Sequence, residues 1–351
     1  MAAEKRPFLL HFYNIFCIFV KTVYMKGNVI ITGGNSQLAQ CIKSVLSTRE
    51  MSFLFDYNYI FATCEELDIT EEENLENFIS KYDDVKYIVN CAAYTKVDQA
   101  QLESEACKKI NTDGVKNLGM YCKEHDIFLI TFGTDCMYGS QRALVSITEG
   151  ITEDDDEYCL RDFVGTENVY DNSYFNLCKL WPANEYEKHF LFINTSWLYS
   201  EFGDNFVKKI YDAVKNGERK KVVMNQIGTP TYAQNLARFI IDYIELDEKP
   251  LLSDGYKSML NFADKGIASW YDLAKTVEDI IKENSATESL IHPCLSSEFH
   301  TNTYRQHYTP LNTKLLEDKF GVDAYTRYWR EDVEMCVKNL KLIEKNLLDE
   351  Q

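Results

Sequence analysis

The chain has 351 residues, with 37 Lys and Arg against 55 Asp and Glu and a formal net charge of −18 at pH 7. That length holds one or two domains with a substantial core, and 45% apolar against 26% charged residues is an ordinary globular balance. The acid excess argues against nucleic acid as a partner and against a polybasic membrane patch, since both draw on clustered Lys and Arg.

Residues 1–24 open with Lys5 and Arg6 ahead of an apolar run from Phe8 to Val20. The outline is that of a signal peptide, but His11, Tyr13 and Asn14 interrupt a run too short to span a bilayer. The expectation is a dispensable extension, with a membrane-associated anchor or a helix packed on the body as alternatives. The folded unit is expected to start at Met25, in the cytoplasm and without a stable membrane anchor. The 11 cysteines include no C-x-x-C pair, and the six histidines form no H-E-x-x-H. Scattered buried, reduced thiols and no metal site are expected.

Asn28–Thr32 reads as a buried strand, Gly33-Gly34-Asn35-Ser36 as a turn, and Leu38, Cys41, Ile42 and Val45 as one helix face. Strand, glycine turn and helix open a dinucleotide-binding unit, in which N–H groups at the helix start receive a pyrophosphate. The pattern repeats with a strand at Tyr59–Ala62, a helix at Glu71–Tyr82 and a strand at Tyr87–Asn90. A long helix at about 104–125 and a strand at Ile127–Phe132 follow. Such alternation predicts an α/β fold, a doubly wound parallel (Rossmann) sheet, with right-handed crossovers and ligands beyond the carboxyl ends of the strands. The candidate positions are Gly33–Leu38 (with Gly33, Ser36, Gln37 and Leu38 foremost), Leu67–Ile69, Ala92–Tyr94 and Thr134–Cys136. Helical spacing returns in 205–215, 233–246 and 269–281, and residues 334–350 read as a closing helix. The expected division is a dinucleotide-binding domain over 25–200. Residues 201–351 form mainly a smaller substrate-binding lobe, with elements returning to the first domain.

Several segments together resemble a known family. Asn90-Cys91-Ala92-Ala93-Tyr94-Thr95-Lys96-Val97-Asp98 is similar to the N-A-A-A-Y-T-x-V-D segment of dTDP-4-dehydrorhamnose reductases, extended short-chain dehydrogenases/reductases. In order follow Leu67-Asp68-Ile69-Thr70 (L-D-I-T), Gly133-Thr134-Asp135-Cys136-Met137-Tyr138 (S-T-D-Y-V-F) and Asn194-Thr195-Ser196-Trp197-Leu198-Tyr199 (R-T-S-W-V-Y). Asn205-Phe206-Val207 (N-F-V) and Asn225-Gln226-Ile227-Gly228-Thr229-Pro230-Thr231 (D-Q-x-G-x-P-T) come next, and Ser269-Trp270-Tyr271 and Leu311-Asn312-Thr313 recur near the C-terminus. The resemblance spans roughly 25–345. It implies reduction, by NADH or NADPH, of the C4 ketone of a nucleotide-diphosphate 4-keto-6-deoxy sugar, with a homodimer as an open assembly.

The resemblance also implies residue roles. A Thr at the end of the fourth strand holds the carbonyl, here Thr134. A Lys on the next helix binds the nicotinamide ribose and lowers the pKa of a Tyr four residues earlier, here Lys179. Gly33, Ser36, Gln37, Leu38, Asp68, Ile69, Ala92, Ala93, Tyr94 and Lys179 would hold the cofactor, and Asp135, Cys136, Trp197 and Arg305 the substrate. The chain departs from the pattern at the Tyr. Four residues before Lys179 stands Phe175, and Tyr174 stands five before. Tyr174 is the assigned proton donor; donation by Thr134 or water, and a non-catalytic relative, stay open. Gly133, Cys136 and Asn194 replace Ser, Tyr and Arg. After the second strand, Thr63-Cys64-Glu65-Glu66 carries no cation for a 2′-phosphate, which leans toward NADH. Two further functions stay open: a non-catalytic subunit resembling the methionine adenosyltransferase β-subunit, and a combined epimerase/reductase. The acidic run Glu153–Glu157, just before the Tyr/Lys helix, reads as a solvated loop.

Overall fold

A computed structural model describes residues 26–48, 57–138, 168–180, 189–246, 259–283, 288–299, 301, 303–321 and 323–349; for 175–180 it describes the backbone alone. The leader with Met25, and Glu153–Glu157, lie outside the described residues.

The strands in chain order are β1 (Gly27–Thr32), β2 (Tyr57–Phe61), β3 (Val85–Asn90), β4 (Phe128–Thr134), β5 (Phe190–Thr195) and β6 (Leu198–Tyr199). They continue as β7 (Lys220–Val223), β8 (Ile227–Gly228), β9 (Thr231–Tyr232), β10 (Met259–Asn261), β11 (Ala268–Ser269) and β12 (Ile291–Cys294). Six form one sheet in the order β10-β5-β4-β3-β1-β2, and every pairing is parallel. The strand order reverses between β1 and β3, so the crevice of this doubly wound sheet opens at their carboxyl ends.

The central strands read as unbroken β-branched and aromatic runs because both faces are covered. Val29, Ile30 and Ile31 of β1 are fully buried, as are Leu129 and Ile130 of β4. One face packs on helices Gln37–Thr48 and Ala233–Glu245 through Leu38, Ile42, Leu236 and Ile240. The other packs on Glu72–Ile79, Val115–Glu124 and Val169–Leu180 through Leu75, Phe78, Leu118 and Tyr174. The expected continuous helix at 104–125 is broken. Ser104–Lys108 and Val115–Glu124 are α-helical, and Lys109–Gly114 between them is a π turn. Its widened turn seats Gly114 against Ile69, where a Cβ would come within 2.8 Å of the Ile69 side chain.

A third cluster lies off the sheet. The parallel pair β7–β12 and helices Phe206–Lys215, Trp270–Ile281 and Trp329–Asp349 enclose Tyr211, Leu273, Val277, Trp329 and Val337. Ser269 caps Trp270–Ile281 in a reciprocal box with Asp272. The chain beyond 200 also returns to the sheet: β10 pairs with β5, and Ala233–Glu245 packs on its face.

Gly33 stands at φ +57, and a Cβ there would lie 2.8 Å from the Ala92 nitrogen and the Cys91 oxygen, both backbone atoms that cannot yield. Gly217, at φ +70, has nothing within 4 Å of its own virtual Cβ. Gly33→Ala is expected to cost ~2–3 kcal/mol and Gly217→Ala only ~1 kcal/mol, the left-handed penalty alone. Urea unfolding of both variants checks this, and equal losses would contradict the close approach of β1 and β3.

Candidate active site

The carboxyl ends of β1, β3 and β4 are tied by buried polar groups. Thr32 Oγ1 donates to Asn90 Oδ1 at 2.7 Å, and Asn90 Nδ2 donates to Thr131 Oγ1 at 3.2 Å. The Gly33 turn rises from this base: Gly34 N–H donates to the Ala62 carbonyl and Ser36 N–H to the Gly33 carbonyl, each at 2.7 Å. Helix Gln37–Thr48 starts here with no acidic side chain in its first turn, so its positive end faces the crevice without opposing charge. With its amide turned to face them, the Gln37 side-chain oxygen accepts from the Tyr199 and Ser200 N–H groups, which leaves its NH2 to donate. The Leu38 side chain is buried, so Leu38 offers a ligand only its backbone.

Ala92, Ala93 and Tyr94 leave β3 along the same crevice. Tyr94 N–H donates to Asn111 Oδ1 at 2.8 Å and Asn111 Nδ2 donates back to the Tyr94 carbonyl at 3.1 Å, while the Tyr94 hydroxyl turns away to Glu103. Asp68 is exposed and accepts from the N–H and hydroxyl of Thr70, while Ile69 is buried against the π turn. After β2, Glu66 accepts from Thr63 N–H, and the exposed Glu65 is held by its own backbone N–H and by the side chains of Thr63 and Cys64. Cys64 is exposed, against the expectation of buried thiols, because it sits in this turn rather than on an element.

At the end of β4, Thr134 Oγ1 donates to Asp135 Oδ1 at 3.2 Å and accepts from Cys136 N–H at 3.3 Å. Asp135 is 2% exposed and its other oxygen accepts from Thr309 Oγ1. Asp171, 1% exposed, lies in the first turn of Val169–Leu180. Its Oδ2 accepts from Asn168 at 2.6 Å and Gln306 at 2.8 Å, and its Oδ1 is buried without a hydrogen-bond partner. Gln306 also donates to the Cys136 carbonyl at 2.8 Å, joining the two acids' surroundings. Desolvation pushes the Asp135 carboxyl up to about 6 and the Asp171 carboxyl up to about 7, Asp135 adding to the latter by repulsion. Gly133, which stands where the family has Ser, is explained by packing: Phe192 and Asn194 fill the space a Cβ would need.

Tyr174 is buried in the cluster below the sheet, its ring 5.2 Å edge-on from Tyr170, and burial pushes its phenol up to about 12. The helix is docked by Thr112 Oγ1 donating to the Ser173 carbonyl and Asn111 Nδ2 to Ser173 Oγ. Lys179 lies on this helix, and its side chain is outside the described residues.

Trp197, at φ +45, stacks on Trp270 with ring centres 3.6 Å apart, and Gly228 presses on its edge. Phe206 meets Trp270 edge-on at 4.7 Å. Beside them opens a cleft of about 650 Å³ between the β3 exit and the off-sheet lobe, lined by Thr95, Asp98, Phe206, Lys209, Lys221, Trp270, Arg305 and His307 among others. Arg305 lies in its wall and pairs with Asp98 at 3.0 Å. Among the described residues no helix is long and apolar enough to cross a membrane.

Thus the structure gathers Gly33, Ser36 and Ala92 at one crevice and Thr134, Asp135 and Cys136 at the adjoining strand end. Asp68–Ile69 stands at the π turn, Trp197 behind Trp270, and Tyr174 in the core. Sequence reasoning placed Trp270 in a matching segment without a role and passed over Asn111, Asp171, Gln306 and Thr309. Asn111 carried a signal, since it shares the buried helix face of Val115, Leu118 and Cys122 at i+4, i+7 and i+11. Asp171 carried none, because its partner Gln306 is 135 residues away.

Residues 25–342 match the family model described as the RmlD substrate binding domain. The dTDP-4-dehydrorhamnose reductase of Aggregatibacter actinomycetemcomitans is 25% identical over 89% of this chain and 98% of its own length. A dTDP-4-dehydrorhamnose reductase from Clostridium acetobutylicum aligns with a TM-score of 0.72 at 28% identity, over 90% of this chain and 99% of that one. The enzyme of the same name from Bacillus anthracis, solved in complex with NADP, aligns with a TM-score of 0.71 at 25% identity, over 90% and 100%.

Both acids are raised above the ordinary Asp value of 3.8, so the folded protein holds their protons more tightly than the unfolded chain does. Their contribution to stability is full below about pH 4 and is lost as pH rises through about 6 and 7. Melting temperatures from about pH 4 to about pH 8 are expected to fall less steeply for Asp171→Asn than for the parent. Parallel curves would contradict the assignment.

Proposed function

The chain belongs to the dTDP-4-dehydrorhamnose reductase family, and from that premise we propose that it reduces the C4 ketone of a nucleotide-linked 4-keto-6-deoxy sugar with a nicotinamide cofactor. One observation supports this most: the glycine turn and helix start of a dinucleotide site adjoin Thr134 at the end of β4, with a cleft bearing Lys209, Lys221, Arg305 and His307 nearby.

The residues present fit such a cofactor. A side chain at Gly33 would collide with the β3 exit, and the first turn of Gln37–Thr48 brings N–H groups and no carboxylate to the crevice. In this reading Gly33, Ser36 and the N–H groups of Gln37 and Leu38 hold the pyrophosphate. Asp68–Ile69 and Ala92–Tyr94 line the rest of the dinucleotide, with Lys179 at its ribose. A bound nicotinamide supplies hydride equivalents. Thr134 holds the carbonyl oxygen, and Tyr174 donates the proton. Asp135, Cys136 and the Trp197–Trp270 stack bound the sugar. Arg305, with Lys209 and Lys221, takes the diphosphate, and these local cations offset a net charge of −18 that repels the ligand at long range.

The exposed Glu65, with no cation in 63–66, favours NADH: it repels a 2′-phosphate and can accept from a free 2′-hydroxyl. One observation favours a second reading, a non-catalytic binding subunit: the phenol of Tyr174 is buried and pushed up to about 12, opposite to what a proton donor needs.

Turnover separates the two. With a dTDP-4-keto-6-deoxy sugar the protein is expected to oxidise NADH, and Tyr174→Phe to lower kcat by ~10²–10⁴. Cofactor binding without oxidation would establish the second reading. Lys209→Ala combined with Lys221→Ala is expected to raise KM for the sugar nucleotide about tenfold at nearly unchanged kcat, as loss of uniform binding does. A fall in kcat alone would contradict their place on the diphosphate.

A further inference from the structure

Thr134 has one hydroxyl proton, and in the structure that proton goes to Asp135, 3.2 Å away, while Cys136 N–H occupies one of its lone pairs at 3.3 Å. A hydroxyl that spends its proton on a carboxylate has only lone pairs to turn toward a ketone, whose oxygen also carries only lone pairs. An ionised Asp135 therefore holds Thr134 in an orientation that repels the substrate carbonyl. The acid form reverses the bond. Its O–H donates to Thr134 Oγ1, Cys136 N–H still fills the other lone pair, and the Thr134 proton is released to point at the ketone oxygen.

We propose that Asp135 is a positioning residue for the reduction: its carboxyl, carried as the acid in a pocket closed to water, turns the Thr134 hydroxyl outward. The inference deepens the reductase reading and rests on it for its role. The surroundings agree. Asp135 is 2% exposed and Asp171 1%, and Thr309 Oγ1 satisfies the second Asp135 oxygen in either protonation state. Asp171 Oδ1 is buried without a hydrogen-bond partner, so no donor stabilises a charge on it. Among the described residues, the charged and titratable groups facing the pair are the Cys136 thiol, the phenol of Tyr170 and Arg305. Arg305 is the one cation among them, and Asp98 shares it at 3.0 Å. The two acids titrate as a coupled pair, with Asp135 raised to about 6 and Asp171 to about 7, so the useful orientation is present at low pH and lost as pH rises through that range.

The test is the pH dependence of kcat together with a readout that needs no turnover. In the parent, kcat is expected to fall as pH rises past about 6–7. Asp135→Ala is expected to lower kcat about 100-fold at every pH. Asp135→Asn, whose amide N–H donates to Thr134 permanently, is expected to restore most of that loss and to remove the pH dependence. Asp171→Asn is expected to leave that fall in place, because Asp171 is the weaker acid of the two and is still neutral when Asp135 ionises. Independently, infrared difference spectra between about pH 5 and about pH 8 should show a protonated-carboxyl band that weakens in Asp135→Asn and is lost when Asp171→Asn is added. An unchanged pH profile in Asp135→Asn, or no such band in the parent, overturns the proposal while leaving the reductase reading intact. A band without cofactor oxidation at any pH overturns the reductase reading, and the positioning role with it.

Discussion

A parallel sheet covered on both faces can present chemistry only where its strands stop. Here Val29–Ile31, Leu129–Ile130 and Leu191–Ile193 run through the interior, with aliphatic and aromatic side chains above and below. The buried threonine and asparagine side chains of the central strands gather toward the carboxyl edge, where Asn90 bonds both Thr32 and Thr131 and the chain turns at Gly33. The crevice, the strand-end Thr134 and the exit of β3 toward the cleft all follow from that edge.

The same burial that shapes the edge sets its electrostatics. Two carboxylates at the β4 exit sit almost wholly out of water, and among the described residues the one guanidinium facing them is shared with Asp98. Desolvation therefore dominates over pairing, and both acids rise toward neutral pH. At the helix start before Gln37 the opposite holds: N–H dipoles without an acidic side chain offer positive potential to an anion. An anion-accepting end and a proton-holding end thus lie along one sheet edge, as reduction of a ketone by a dinucleotide requires.

Much of the fold was legible because its causes are local and periodic. The β-branched runs at 28–32, 87–90 and 127–132 and the apolar spacing at 38–45 and 233–246 mark strands and helices whose burial the structure repeats. The π turn at Lys109–Gly114 was not legible: Asn111-Thr112-Asp113-Gly114 are weak helix formers, but weak propensity does not by itself call for a π turn. It arises from the tertiary fit of Gly114 to Ile69 and of Asn111 to the Tyr94 backbone. At the site, Thr134, Asp135 and the Gly33 turn stood in recognisable segments. Gln306, Thr309 and Asp171 belong to the site through contacts spanning 135 to 174 residues, and no spacing rule announces them. The place of Tyr174 illustrates the limit of register arguments: a helical wheel orders residues around an axis, but the packing of that helix on the π turn decides which of them meets the core.

The most direct measurement follows the atom that the reaction would move. A dTDP-4-keto-6-deoxy sugar incubated with the protein and with NADH or NADPH deuterated at nicotinamide C4 is examined by proton NMR and mass spectrometry. A product carrying one deuterium at sugar C4, with oxidised cofactor in equal amount, is the expected result. Deuterium retained on the cofactor, with the sugar unchanged although both ligands bind, would contradict a reductase and leave a binding protein built on a reductase fold.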